Sequence, residues 1–385
     1  MNDPYFTLDQ AVRGWDRHER AHGRQPVVAY DLDPPASAVC AAGRGETARA
    51  LTELADTHPD AVRGHLAYLS RLTGESIRPL DAYVAVTQQT PLQPVGDAHL
   101  QRRRDELANF AAAVGVTFGP ELPAQLTATE TPVGAADLED VISLELDRWL
   151  SVVATYVRSD VTFDVAIERV DEDVYWSYWL DGAGRNARMR INMRHAQFTL
   201  TQARQFALHE LCGHALQCAS WSARRVENGT ARFPATHCVH LGQQPAFEGI
   251  GQALGLLVAR TDKLLAARTR LTLYSQLVYG RAHRQLAFGA DRTTVERELR
   301  RWLPWWDPAA AGRFIADRRD DALLSSYLWS YPAGAAFFWQ LADAHSQVAR
   351  DVLTAAYDRP LTLTALAGVA ADCNEQLRRH RGHHG

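Results

Sequence analysis

The sequence predicts a mainly α-helical protein with one small antiparallel β-sheet. Two observations carry this reading. Apolar residues recur at helical spacing along most of the chain, as in GETARALTELADTHPDAVRGHLAYLSRL (45–72) and ADLEDVISLELDRWLSVVATYV (136–157). One region alone, 161–194, alternates instead and is rich in β-branched and aromatic residues. The bulk numbers agree with a globular chain of one large or two intimate domains: 385 residues, 46% hydrophobic, formal net charge −4.

Taken in order, residues 1–155 read as an N-terminal helical region. TPLQPVG and FGPELPAQLTATETPVG, rich in Pro and Gly, serve as connecting loops. Residues 156–385 read as a second region packed with the first as one unit. It opens with three short strands, VTFDVAIERV, VYWSYWLDG and ARMRINMR, with DGAGRN as a turn. A helix over 199–221 follows directly, with Thr199 or Thr201 as N-cap. A second helix over 245–262 starts at Pro245, a residue suited to a first turn, and the rest returns to helix. The tail RRHRGHHG is expected to be disordered.

Several function classes fall away. The 41 basic residues are scattered and balanced by 45 acidic ones, so no nucleic-acid partner is expected. Apolar runs such as IGQALGLLVA are too short to span a membrane. The N-terminus shows no basic stretch followed by an apolar one, so no secretory signal is expected. Five cysteines without a CxxC pair read as free thiols in a reducing cytoplasm.

The chemistry concentrates in FALHELCGHALQ (206–217). His209 and His214 are five residues apart. On an α-helix each residue advances about 100°, so a spacing of four leaves side chains about 40° apart and a spacing of five about 140°. A regular helix cannot chelate one ion with this pair. One π-turn, at roughly 4.4 residues per turn, brings five steps to about 410° and restores the geometry. Gly213 lies inside that turn, where a missing Cβ eases distortion. Two neutral imidazoles suit Zn²⁺, a third protein ligand completes the set, and a fourth position is left for water. Glu210 is then the general base that accepts the water's proton and passes it to the leaving group.

PAFEGIGQALGLL supplies the third ligand, Glu248, in the first turn of its helix. Gln252 shares that face and is placed to hold a histidine's outer nitrogen. Gly249 and Gly251 are expected to let this helix pack tightly on the histidine-bearing one. His237, Cys238 and His240 in THCVHLG offer a rival metal set. No partner pair at a recognisable spacing completes it, and a loop lining the cleft is the preferred reading. Cys212 is read as a packed thiol.

HELCGH resembles the HEXXGH hexapeptide of the dipeptidyl peptidase III family, zinc peptidases of the gluzincin type. EGIGQALGL is similar to that family's second motif, although the pair of acids that opens it is Phe247-Glu248 here. The order of segments HELCGHALQ, AFEGIGQAL, VYGRAH and SYPAG resembles a bacterial family of helical gluzincins with an HExxPGHH signature. SYLWS (326–330) is similar to a tyrosine-bearing segment of the thimet oligopeptidase family. The resemblance implies a helical metallopeptidase fold with a central cleft and a zinc ion on His209, His214 and Glu248. It implies oxyanion donors among His283, Tyr331 and Tyr327. It also implies that the strand Met189 to Arg194 forms an open edge for an extended substrate, with Arg190 or Arg194 meeting a carboxylate.

The expected function is therefore a cytoplasmic zinc hydrolase acting on a short peptide or an amide-containing small molecule. The alternatives are a metalloenzyme of a biosynthetic pathway using the same site for non-peptidase chemistry, and a non-catalytic binding descendant. An intact Glu210 argues against the latter.

Overall fold

A computed structural model describes residues 3–75, 79–173, 177–194, 196–316 and 321–382, with side chains to 379. Part of the stretch VYWSYWLDG and the end of the RRHRGHHG tail lie outside the described residues. The protein is mainly helical with a small sheet, as the periodicity predicts.

The sheet has five strands: β1 Tyr30–Asp31, β2 Asp164–Val170, β3 Tyr178–Ala183, β4 Asn186–Asn192 and β5 Thr236–His237, in the order β2-β4-β3-β1-β5. β3 and β4 form the expected antiparallel hairpin, turning at Gly184, whose φ of 60° lies in the left-handed region. The sheet as a whole is mixed rather than antiparallel. β2 runs parallel to β4, from Asp164↔Asn186 to Val170↔Asn192, and β1 runs parallel to β3. Alternation within a strand sets which face each side chain takes, but it carries no information about neighbour order, and the two partners that break the antiparallel pattern join across long connections.

The helix that carries both histidines runs without a break from Leu200 to Arg224. Its start is a capping box: Thr199 Oγ1 accepts from the Gln202 backbone N–H and the Gln202 side chain accepts from the Thr199 N–H. The glutamate helix, Gln244–Val258, has Pro245 in its first turn and is buried on nearly every face, as its all-round apolar sequence demands. It stops short of the expected 262 because Asp262 caps the next helix, Lys263–Ala287, by accepting from the Leu265 N–H.

A third helix, Ser330–Ala342, crosses the glutamate helix at glycine on both sides. A Cβ on Gly249 would lie 2.5 Å from a Phe338 ring carbon and 2.6 Å from Gly334 Cα, and one on Gly334 would overlap the Pro245 carbonyl oxygen. The N-terminal helix Phe6–Ala21 joins this assembly through a buried ion cluster. Arg225 donates to Asp3 at 2.7 Å, Asp9 at 3.1 Å and Asp33 at 2.9 Å, while Asp9 also accepts from the Ala235 and Thr236 N–H groups. Breaking one partner would strand a buried charge, so the cluster fixes the course of the loop carrying His237.

Because the crossing is closed by backbone rather than by flexible side chains, Gly334→Ala is expected to destabilise the fold by about 1–3 kcal/mol. A urea unfolding midpoint unchanged from wild type would show that the two helices can separate without cost.

Candidate metal centre and cleft

The expected irregularity is present where the spacing requires it. Residues Ala207–Ala215 form a π-helical segment between two α-helical ones. The widened turn has its own support: the Tyr357 hydroxyl donates to the Cys212 carbonyl at 2.7 Å in a fully buried contact. Cys212 is a packed thiol, pushed up to about 12 by burial. Gly213 sits in the turn as predicted, and a Cβ there would lie 3.1 Å from Gly251 Cα.

The π-turn brings the two imidazoles to one side, with ring centroids 4.7 Å apart and planes near perpendicular at 87°. Their Nε2 atoms lie 3.6 and 3.7 Å from the same oxygen, Glu248 Oε2. These separations are longer than hydrogen bonds and close to the roughly 3.4 Å between ligands of a tetrahedral ion with bonds of about 2.0–2.1 Å. The other carboxylate oxygen, Oε1, is held by the Gln244 amide at 3.0 Å and the Tyr327 hydroxyl at 2.7 Å. Glu248 therefore presents one anchored oxygen and one directed at both histidines. Glu210 also lies within 4.8 Å of both histidines, with Oε1 3.6 Å from His209 Nε2, but Glu248 Oε2 stands 3.6 and 3.7 Å from the two Nε2 atoms and is the better third ligand. A donor set of two imidazoles and one carboxylate fits a zinc ion.

The electrostatics agree with this division. Burial opposes ionisation of Glu248, but the two adjacent imidazoles outweigh it and hold the carboxyl well below its usual range. Burial raises Glu210, and although His209 and His214 pull it back, it stays above the ordinary carboxylate value. Two carboxylates a few ångströms apart are thus pushed in opposite directions, one toward a permanent anion and one toward a group that exchanges protons. Tyr327 and Tyr331 are hydrogen-bonded to each other, and burial and the nearby carboxylates keep both phenols protonated.

Two cavities of about 330 Å³ each open on either side of the centre. One is mostly apolar, walled by Tyr30, Trp179, Leu180, Phe247, Leu324 and Leu328. Tyr178, His209, Glu210 and Tyr331 face both. His237 also lines the apolar side, its imidazole lowered to about 4 by burial and so neutral.

The structure brings together His209, Glu210, His214, Glu248, Tyr327 and Tyr331, but not His283. That ring is buried with Nε2 3.1 Å from the Ser325 carbonyl, and it lines neither cavity. It supports the turn that carries Tyr327 instead. Gln252 does not hold a histidine's outer nitrogen: its Oε1 and His214 Nδ1 both lack a hydrogen-bond partner among the described residues. Gly249 faces Gly334 rather than the histidine helix, and only Gly251 fulfils the expected role, since a Cβ there would lie 2.9 Å from His209 and 3.0 Å from His214.

The strand expected as an open edge is also different. β4 is flanked by β2 and β3, so Met189 to Ile191 has no free side, Arg194 lies beyond the strand, and Arg190 and Arg194 pair with Asp181 and Asp171. The side of β3 away from β4 has ladder partners only at Gly182 and Ala183, which leaves Tyr178–Leu180 unpaired there among the described residues and facing the cleft. Tyr178, Gln244 and Phe247, stacked 3.9 Å from His214, were not singled out by sequence. Only Gln244, four residues before Glu248 on one helix, left a readable signal.

His65 from the helix Pro59–Thr73 joins Cys238 and His240 in a second buried group whose candidate ligand atoms lie within 4.8 Å. Its two imidazoles already hydrogen-bond each other at 2.9 Å, and burial keeps both neutral and the thiol protonated. That is the behaviour of a packed core cluster.

No family model matches the chain, and no curated protein matches it in sequence. Its fold is similar to that in "The crystal structure of the putative lipoprotein from Colwellia psychrerythraea", with a TM-score of 0.51 and 10% identity. The match covers 93% of this chain, which spans 59% of that one, and it concerns the fold alone.

Gly251→Ala is expected to push the two imidazoles off their shared point while the helix itself gains propensity. Zinc affinity should fall at least tenfold in a competition titration, with little change in unfolding midpoint. Unaltered affinity would mean that the rings are not held by this contact.

Proposed function

We propose that the chain is a zinc-dependent hydrolase that cleaves a peptide or amide bond in a short peptide or small molecule, with Glu210 as general base. One observation carries the reading: Glu248 Oε2 faces the Nε2 atoms of both histidines, while Glu210, buried and raised, stands beside them at the junction of two cavities. Bound zinc would polarise a carbonyl and acidify a water near neutral pH.

The chain's own groups supply the rest. Glu210 has the altered basicity needed to take a proton from the attacking water and return it to the leaving nitrogen. Tyr331, still protonated and facing both cavities, is positioned to donate to a developing oxyanion. Tyr327 holds Glu248 and is a positioning residue. The unpaired edge of β3 at Tyr178–Leu180 suits an extended substrate backbone. Cavities of about 330 Å³ favour one or two residues on each side over a folded protein.

We further propose a cytoplasmic location, supported by five unpaired cysteines. Among the described residues, no helix is long and apolar enough to cross a membrane.

Glu210→Gln should keep zinc and fold yet lose about 10²–10⁴-fold in turnover, because an amide accepts no proton. Peptide-library cleavage by zinc-loaded protein provides the assay. Tyr331→Phe should lower kcat with little effect on KM. Full cleavage by Glu210→Gln would remove Glu210 as general base, and no cleavage by zinc-loaded wild type would favour non-peptidase chemistry at the same centre.

A further inference from the structure

The cavity on the far side of the metal centre from the apolar one has an unusual lining. Five glutamines, Gln197, Gln202, Gln205, Gln252 and Gln276, surround it together with Thr272. Among the described residues no lysine, arginine or aspartate lines it, and Glu210 is the one carboxylate there. A glutamine offers two donors and an acceptor without charge, so these residues make a polar, uncharged stretch of wall beside Tyr178, Phe198, Phe206, His209, Glu210 and Tyr331.

Two of these amides are occupied by the protein. Gln202 closes the capping box at Thr199, and Gln205 donates to Thr272 at 3.1 Å. Gln197, Gln252 and Gln276 make no side-chain hydrogen bond among the described residues. Gln252 is the informative one. It is only 3% exposed, yet its Oε1 has no partner. Of the buried side-chain atoms that lack a partner among the described residues, Gln252 Oε1 is the one on a residue lining this cavity, where a ligand can supply the missing bond. Its place on the glutamate helix, one turn beyond Glu248, sets that amide beside the reacting centre.

We propose that this cavity is a carboxamide-specific subsite, which takes an asparagine or glutamine side chain of the substrate next to the scissile bond. The apolar cavity opposite then takes a large apolar or aromatic residue. The proposal deepens the hydrolase reading above and rests on it. A substrate carboxamide pairs reciprocally with the Gln252 amide and reaches Gln276 across the cavity. An acidic side chain finds no lysine or arginine among the described residues of this wall. A leucine of similar size leaves the wall's amides unpaired, and a site built to hydrogen-bond its ligand discriminates strongly against the analogue that cannot.

The test uses binding, so that it does not depend on turnover. Zinc-loaded Glu210→Gln protein is titrated calorimetrically with the capped dipeptides Ac-Gln-Phe-NH2 and Ac-Phe-Gln-NH2, and with their Leu-for-Gln and Glu-for-Gln counterparts. In one of the two orders, the Gln peptide is expected to bind about tenfold more tightly than either counterpart. Gln252→Leu should remove that preference while zinc content stays stoichiometric. Gln276→Leu, at a half-buried position, should weaken it and guards against misfolding of the first variant. Equal binding of the Gln, Leu and Glu peptides, absence of binding by all of them, or a preference that survives both variants would overturn the proposal. So would Gln252-dependent binding of N-acetylglucosamine in place of the peptides, which would assign the wall to sugar hydroxyls. Cleavage by the wild-type enzyme is scored separately. A Gln preference in binding without cleavage removes the hydrolase reading and keeps the subsite, whereas cleavage without the preference does the reverse.

Discussion

His209 and His214 stand five positions apart, and a helix can aim both rings at one point only by widening its turn. The rest of the centre follows from that requirement. A π-helical segment loosens the local hydrogen-bond ladder, and the structure compensates with a buried phenol, Tyr357, on the Cys212 carbonyl. The glutamate helix can approach the widened turn because glycine faces glycine there, at Gly213 and Gly251. Its other side is closed by the Gly249–Gly334 crossing, so Glu248 has little freedom to retreat. Without side chains at these four positions, three helices come near enough for Glu248 Oε2 to meet two imidazoles.

The charges are arranged around that contact. Three polar atoms converge without hydrogen-bonding one another, a state that costs energy unless a cation balances it. Glu248 is secured by Gln244 and Tyr327, which fixes where its charge sits. Glu210 has no such anchor among the described residues and remains the group whose protonation can change. The two tyrosines stay neutral donors beside it. Such opposed tuning of neighbouring carboxyl groups is a general mark of acid–base chemistry. Here it comes from burial and imidazole proximity rather than from any distant residue.

Much of this was legible in the sequence, because the signals are local. The spacing of His209 and His214 demanded the π-turn, Thr199 and Gln202 announced the helix start, and Pro245 followed by Glu248 placed the candidate third ligand in a first turn. What failed depended on contacts between distant segments. Nothing near His283 shows that its ring turns to the Ser325 carbonyl. Strand alternation could not reveal that β2 pairs beside β4, which closes the edge at Arg190 and leaves the unpaired one on β3. Gly249 and Gly251 were read as one packing device, but they face two different helices because positions two apart on a helix point about 200° from one another. Tyr357 and Tyr178 carry no pattern of their own and become meaningful only once the chain is folded.

Under the proposed function one zinc ion would be held by His209, His214 and Glu248, and zinc K-edge X-ray absorption on protein loaded with one equivalent separates this site from the other histidine group. The expected spectrum shows a coordination sphere of nitrogen and oxygen alone at about 2.0–2.1 Å, with more distant scattering from two imidazoles. A sulfur contribution at about 2.3 Å would place the metal instead at the buried Cys238 group with His65 and His240 and overturn the assignment.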